Sequence, residues 1–145
     1  MRTITITAVV DVVGALANDS ASGHIYLMDD NKLNGSTGEG TEMLETKVRL
    51  GDRLVWTVHP LEVESGVRIA RIEINRAYCE PEEREYADTG VTYWVGVIKQ
   101  DLDKVVLYAL TLACGGRELE MPTPASPAAG PRLVGGDAAA NQQAR

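Results

Sequence analysis

Phenylalanine is absent from the 145 residues, and the aromatic content rests on five Tyr and two Trp. Val, Ile and Leu must therefore fill most of any core, and these residues suit a pleated sheet surface. Cysteine is scarce as well. Cys79 and Cys114 stand alone, which supplies neither a disulfide framework nor the C-x-x-C spacing of a zinc site. Basic charge is in deficit, since 14 Lys and Arg face 21 Asp and Glu for a formal net charge of -7. That balance argues against nucleic acid, whose backbone demands a basic stripe, and against adhesion to anionic membranes. No apolar run approaches the ~20 residues needed to span a bilayer as a helix. Met1-Arg2-Thr3 leads straight into an alternating run without a basic n-region and apolar h-region, so no secretory signal is expected. The expected compartment is the cytoplasm, where both cysteines stay reduced; in a released protein the two could pair.

Periodicity carries most of the information. In "RTITITAVVDVV", Ile4, Ile6, Ala8, Val10 and Val12 share one face, while Thr3, Thr5, Thr7, Val9 and Asp11 share the other. Such period-two alternation in a β-branched run predicts a strand. Further strands are predicted at 24–29, 43–49, 53–58, 67–74, 91–98, 104–113 and 117–121. Gly115-Gly116 predicts a tight hairpin between the last two, because both central residues of a type I′ turn take positive φ. Residues 13–22 hold one helical turn at most. These elements predict an all-β fold, an antiparallel β-sandwich of about eight strands, occupying residues 1–121. From Pro122 the composition turns to Pro, Ala, Gly and Gln, which predicts a flexible, disordered C-terminal tail over 122–145.

The run "NGSTGEGT" (34–41) has the glycine spacing of a phosphate-binding loop, but Thr41 stands where that loop needs Lys. Glu39 adds negative charge, and the following residues read as a strand rather than a helix. A long inter-strand loop is the expectation. Asp29, Asp30, Asn31, Asn34 and Glu39 are oxygen donors of the kind a hard cation prefers, yet the EF-hand pattern fails. Counted from Asp29, Leu33 falls on a ligand position and Asn34 on the glycine position.

Transition metals fare worse. "GDRLVWTVHP" resembles a strand leading to a copper-binding histidine, but His24 and His59 both precede Cys79 and none follows it. No metal ligands, cofactor or catalytic residues are therefore assigned. Cys79 is followed by "EPEERE", whose carboxylates oppose thiolate formation. Trp56 and Trp94 read as core pillars. Asp11, inside "VVDVV", costs free energy unless solvated or bonded. It reads either as a cap for the turn at Gly14 or as a polar contact in a rim pocket.

"TITAVVDVV", then "GEGTEMLETKVRLGDRLVWTV", then "IARIEI" resemble the bacterial inclusion-body (AidA/PixA-like) protein family over residues 3–120. Asp11 stands where an aspartate ends the first hydrophobic strand. Gly38, Gly40 and Thr41 stand in the Gly-rich loop, and Leu50-Gly51-Asp52-Arg53-Leu54 at the following turn. The chain is shorter than typical members and adds its Pro/Ala/Gly-rich segment. The resemblance implies a compact β-sandwich linked to intracellular inclusions, population-density regulation or host interaction, with no catalytic set. Two functions follow as expectations. One is a non-enzymatic module that forms homo-oligomers or binds another protein. The other is a carbohydrate or small-ligand module, Ca²⁺-dependent or not, using the 29–42 loop with Asp11, Asp30, Asn31 and Asn34.

Overall fold

The computed structural model describes residues 2–62, 66–121 and 130–135. Strand β1 (Thr3–Val10) buries Ile4, Ile6, Ala8 and Val10 on one face, as its alternation requires. Asp11 then caps a seven-residue helix, α1 (Val12–Asn18), which is longer than the single turn expected. Strand β2 (Ile25–Asp29) returns antiparallel to β1. A 3-10 turn (Lys32–Asn34) and the glycine run lead to β3 (Glu45–Val48). The chain continues through β4 (Arg53–Pro60), β5 (Arg68–Ile74), β6 (Glu82–Glu85) and β7 (Thr92–Val97). It then forms β8 (Val106–Cys114), β9 (Arg117–Glu120) and β10 (Arg132–Gly135). Gly115 and Gly116 join β8 to β9 with φ of 56° and 82°, as a type I′ turn needs.

Two sheets result. The first has the order β2-β1-β4-β7-β6, and the second β3-β10-β8-β5, with β9 also paired to β8. Strand β8 lies inside the second sheet, which explains its apolar residues on both faces. Between the sheets Trp56 meets Tyr108 edge to face, with ring centroids 5.8 Å apart. Ile4, Ile6, Leu27, Leu54, Ile69, Leu110 and Leu112 fill the space around them. The Tyr108 hydroxyl is wholly enclosed, and burial drives its titration far upward. Trp56 Nε1 approaches that hydroxyl and eases the shift slightly, but neither atom reaches hydrogen-bond geometry.

The eight expected strands are present, and the fold is all-β. Besides the longer α1, three features differ from expectation. The sheets are mixed rather than wholly antiparallel, because β4 lies parallel to β1 and β10 parallel to β3. The chain crosses from the first sheet to the second at β3 and back at β4, and residue periodicity fixes a face without naming a neighbour. Strand β6 occupies "EERE", where exposure on both faces leaves no alternation to read. Strand β10 lies beyond Pro122, in the segment read as a tail. Leu133 there is fully buried, and pairing with β3 and β8 offsets the entropy of ordering the segment. The folded chain therefore extends past residue 121. Residues 122–129 and 136–145 lie outside the described residues.

Candidate functional site

The sequence candidates occupy two corners. Asp11 ends β1 and accepts a hydrogen bond from Gly14 N at 3.1 Å, closing the first turn of α1. Its other carboxylate oxygen lies 3.4 Å from His24 Nδ1, and His24 Nε2 meets the Asn18 amide at 2.7 Å. A proton on Nδ1 lets the ring face the carboxylate and accept from Asn18 at once. Glu62 completes the group by accepting from Val12 N at 2.9 Å. The Gly14 N–H, then a hydrogen bond with Glu62 and the nearby His24, hold Asp11 below the usual carboxylate range. A side chain at Gly14 would stand on both Asp11 and His24, so glycine permits their approach. An acid orienting an imidazole is a familiar catalytic arrangement, but here Asn18 occupies the outer ring nitrogen. The arrangement closes a helix end.

The second corner lies at the opposite end of the β1–β2 hairpin, roughly 20 Å along the strands. Asp30 accepts from Thr5 N at 3.0 Å, which stitches the loop to the start of β1. Asn31 is buried, donating to Lys47 O at 2.8 Å and Ser36 Oγ at 3.3 Å. It accepts in turn from Asn34 Nδ2 at 3.1 Å. Three of the four candidates thus share a corner, with polar atoms engaged by the protein itself; Asp11 is not among them.

The glycine run closes over this corner. Gly35, Gly38 and Gly40 all take positive φ. A side chain at Gly38 would strike the Met43 carbonyl, a close approach only glycine allows. Isolated bridges from Thr37 to Glu45 and from Thr41 to Leu27 fasten the run to β3 and β2. Strand β3 follows it, so no helix N-terminus stands where a phosphate would sit. Glu39 turns inward and accepts from Asp29 N at 2.8 Å, while Asp29 accepts from Thr46 Oγ1 at 2.7 Å. Burial, followed by the adjoining Asp29 carboxyl, pushes the Glu39 carboxyl up. Among the described residues no cluster of three or more His, Cys, Asp and Glu is placed to hold a metal ion.

A family model described as "Domain of unknown function (DUF8788)" matches residues 2–120. The chain belongs to this family. No curated protein matches the sequence. Among solved structures, the DUF8788 chain is similar to the inclusion body protein (PixA) from Burkholderia cenocepacia J2315. The two share 14% identity with a TM-score of 0.64, over 94% of this chain and 93% of that one. At that identity the likeness establishes a common fold. The resemblance read from the sequence is therefore real and loose.

Two other features of the DUF8788 chain bear on chemistry. Cys79 and Cys114 are both free and buried. Burial first, with a minor contribution from Glu80, pushes the Cys79 thiol up to about 11, and burial raises Cys114 too. At the β3–β4 turn, a depression of about 450 Å³ is lined by Arg2, Arg49, Leu50, Gly51 and Asp52. Its carboxylate, on Asp52, is buried and accepts from Arg2 Nη2 at 2.7 Å and Arg49 N at 2.9 Å. No helix among the described residues is long and apolar enough to cross a membrane.

Sequence reasoning missed Glu62 at the Asp11 corner and Thr46 at the Asp29 corner. Glu62 arrives because β4 runs parallel beside β1, bringing Pro60 opposite Val10. Nothing within fifty residues of Asp11 signals that meeting. Thr46 is a buried residue of the short strand β3, and nothing in the local sequence pairs it with Asp29.

Proposed function

We propose that this protein is a non-enzymatic β-sandwich that works by association, with copies of itself or with another protein. The fold likeness to an inclusion body protein along nearly the whole chain carries this reading. The use of its acidic groups supports it. Asp11, Asp29, Glu39 and Asp52 each accept bonds from the protein's own backbone, an architectural use of carboxylates. The net charge of -7 restrains indiscriminate aggregation while leaving specific contacts available. The free thiols accord with a cytoplasmic setting, and the acidic balance with a partner that is neither nucleic acid nor membrane.

The competing reading is a carbohydrate or small-ligand module built on the 29–42 loop. It requires Asp30, Asn31 and Asn34 to present polar atoms outward. Asn31 is buried and bonded inside the protein, while Asp30 and Asn34 are exposed and each spends one polar atom on the loop itself, which weakens this reading. Light scattering of the full chain across a wide concentration range tests the proposal. A defined oligomer is expected, and a monomer at every concentration would overturn self-association.

A further inference from the structure

The sandwich has several sheet edges, and they are treated differently. The outer side of β2 is covered by the glycine run, with Gly40 N donating to Leu27 O at 2.6 Å. The outer side of β3 is covered by Thr37, which exchanges backbone bonds of 2.9 and 2.8 Å with Glu45. Strand β6 is four residues long and wholly exposed, and three of its four side chains are acidic. Strand β9 is equally short, and Ala21 N donates to its Glu120 carbonyl. Short, charged or covered edges are how sheets avoid unwanted pairing.

Strand β5 is neither short nor covered over most of its length, and its exposed charges are of both signs. It runs for seven residues, with β8 on one side and no strand on the other among the described residues. A register shift between Ile69 and Arg71, with the Trp94 indole on Ile69 O, closes only its first end. From Arg71 to Ile74 the strand lines an open groove of about 320 Å³, whose far wall is Pro81 and Trp94. Ile72 and Ile74 face inward, whereas Arg71 and Glu73 are exposed on the outer face.

We propose that this edge is the seam of a two-fold dimer, with β5 of one copy pairing antiparallel to β5 of a second. This rests on the association reading above and names its surface. The partner follows from charge. An antiparallel pairing centred on Ile72 sets Arg71 of each copy opposite Glu73 of the other, so both outer pairs are of opposite sign. The same register sets Ile72 against Ile72 on the inner side, beside the apolar wall of Pro81 and Trp94. Arg71 already meets Glu118 at 3.0 Å and lies 3.9 Å from Glu120, but a guanidinium has five N–H donors and can serve a further acid. A strand whose charge reverses about its centre is complementary to itself, and one patch then serves both halves of an isologous contact. Elsewhere two copies each bearing -7 repel.

The test uses the full chain. Light scattering should give a dimer for the wild type, and Glu73→Arg should weaken it by about tenfold or more by opposing like charges twice. Circular dichroism of the variant should match the wild type, since Glu73 is exposed. An equimolar mixture of Arg71→Cys and Glu73→Cys chains should crosslink on oxidation, while neither variant does so alone. Native Cys79 and Cys114 are buried and do not compete. A wild-type oligomer that ignores Glu73→Arg and gives no mixed crosslink overturns the seam and leaves association standing. A wild-type monomer overturns both.

Discussion

Trp94, in the first sheet, donates its indole N–H to the Ile69 carbonyl at the edge of the second, at 2.9 Å. Trp56 stands directly opposite Trp94 in register and is fully buried against Tyr108. One tryptophan fills the sandwich; the other fastens its rim. Trp94→Phe keeps most of the ring and removes the donor, so it should cost about 1 kcal/mol. A urea midpoint unchanged from wild type would show that water replaces the bond without loss.

Asp11 should govern part of the acid limb of stability. Its folded pKa is lowered, chiefly by the Gly14 N–H, so its contribution is present above the unfolded value and fades as pH falls through the folded one. Asp11→Ala should lower the melting temperature by about 5 °C near neutrality, through loss of the helix cap. The gap from wild type should narrow in acid, as followed by thermal melts at stepped pH.

Glu39 should act with the opposite sign. Burial and Asp29 raise its folded pKa above 4.5, so its contribution is complete below that value and is lost as pH rises through the folded pKa. Glu39→Gln resembles the protonated side chain and keeps an acceptor for Asp29 N. The variant should match or exceed the wild type in stability at pH 7 and lose this advantage in acid. A marked drop at pH 7 in urea titration would count against this account of the loop.

Leu133 tests the unexpected strand. It is fully buried between β3 and β8, so Leu133→Ala should cost about 2–4 kcal/mol by cavity formation. Equilibrium urea unfolding measures it. A chain stopped at residue 121 should lose cooperative unfolding, whereas removal of a dispensable tail would leave it intact.

Cys79, pushed up to about 11 by burial, and Cys114, raised for the same reason, should be inert in the native state. Ellman's reagent at pH 8 should find almost no thiol until denaturant is added, and then two. Rapid native reaction of either one would reveal local opening.

How much of this could be read beforehand varies with the physics of each element. "VVLYALTL" is apolar on both faces, as suits a central or interfacial strand, and β8 lies inside its sheet. The Asp11 cap was legible as an acid three residues before Gly14. Strand β6 was not, since "EERE" needs no buried face to lie on an edge. Strand β10 was hidden because four residues inside a Pro/Ala/Gly-rich segment give too short a pattern, and Leu133 gains its burial only from distant partners. The inward turn of Asn31 depends on the Lys47 carbonyl and Ser36, a meeting that follows from how the loop folds back.

The place of β10 sets an order on synthesis. The ribosome delivers β3 early, yet the neighbour that joins it to the rest of its sheet is among the last residues described. Among the described residues, β3 joins β8 only through Arg132–Gly135, so until that strand emerges the second layer stands incomplete in its middle. Late, non-local closure of this kind generally slows folding and leaves unpaired strand edges open to other chains.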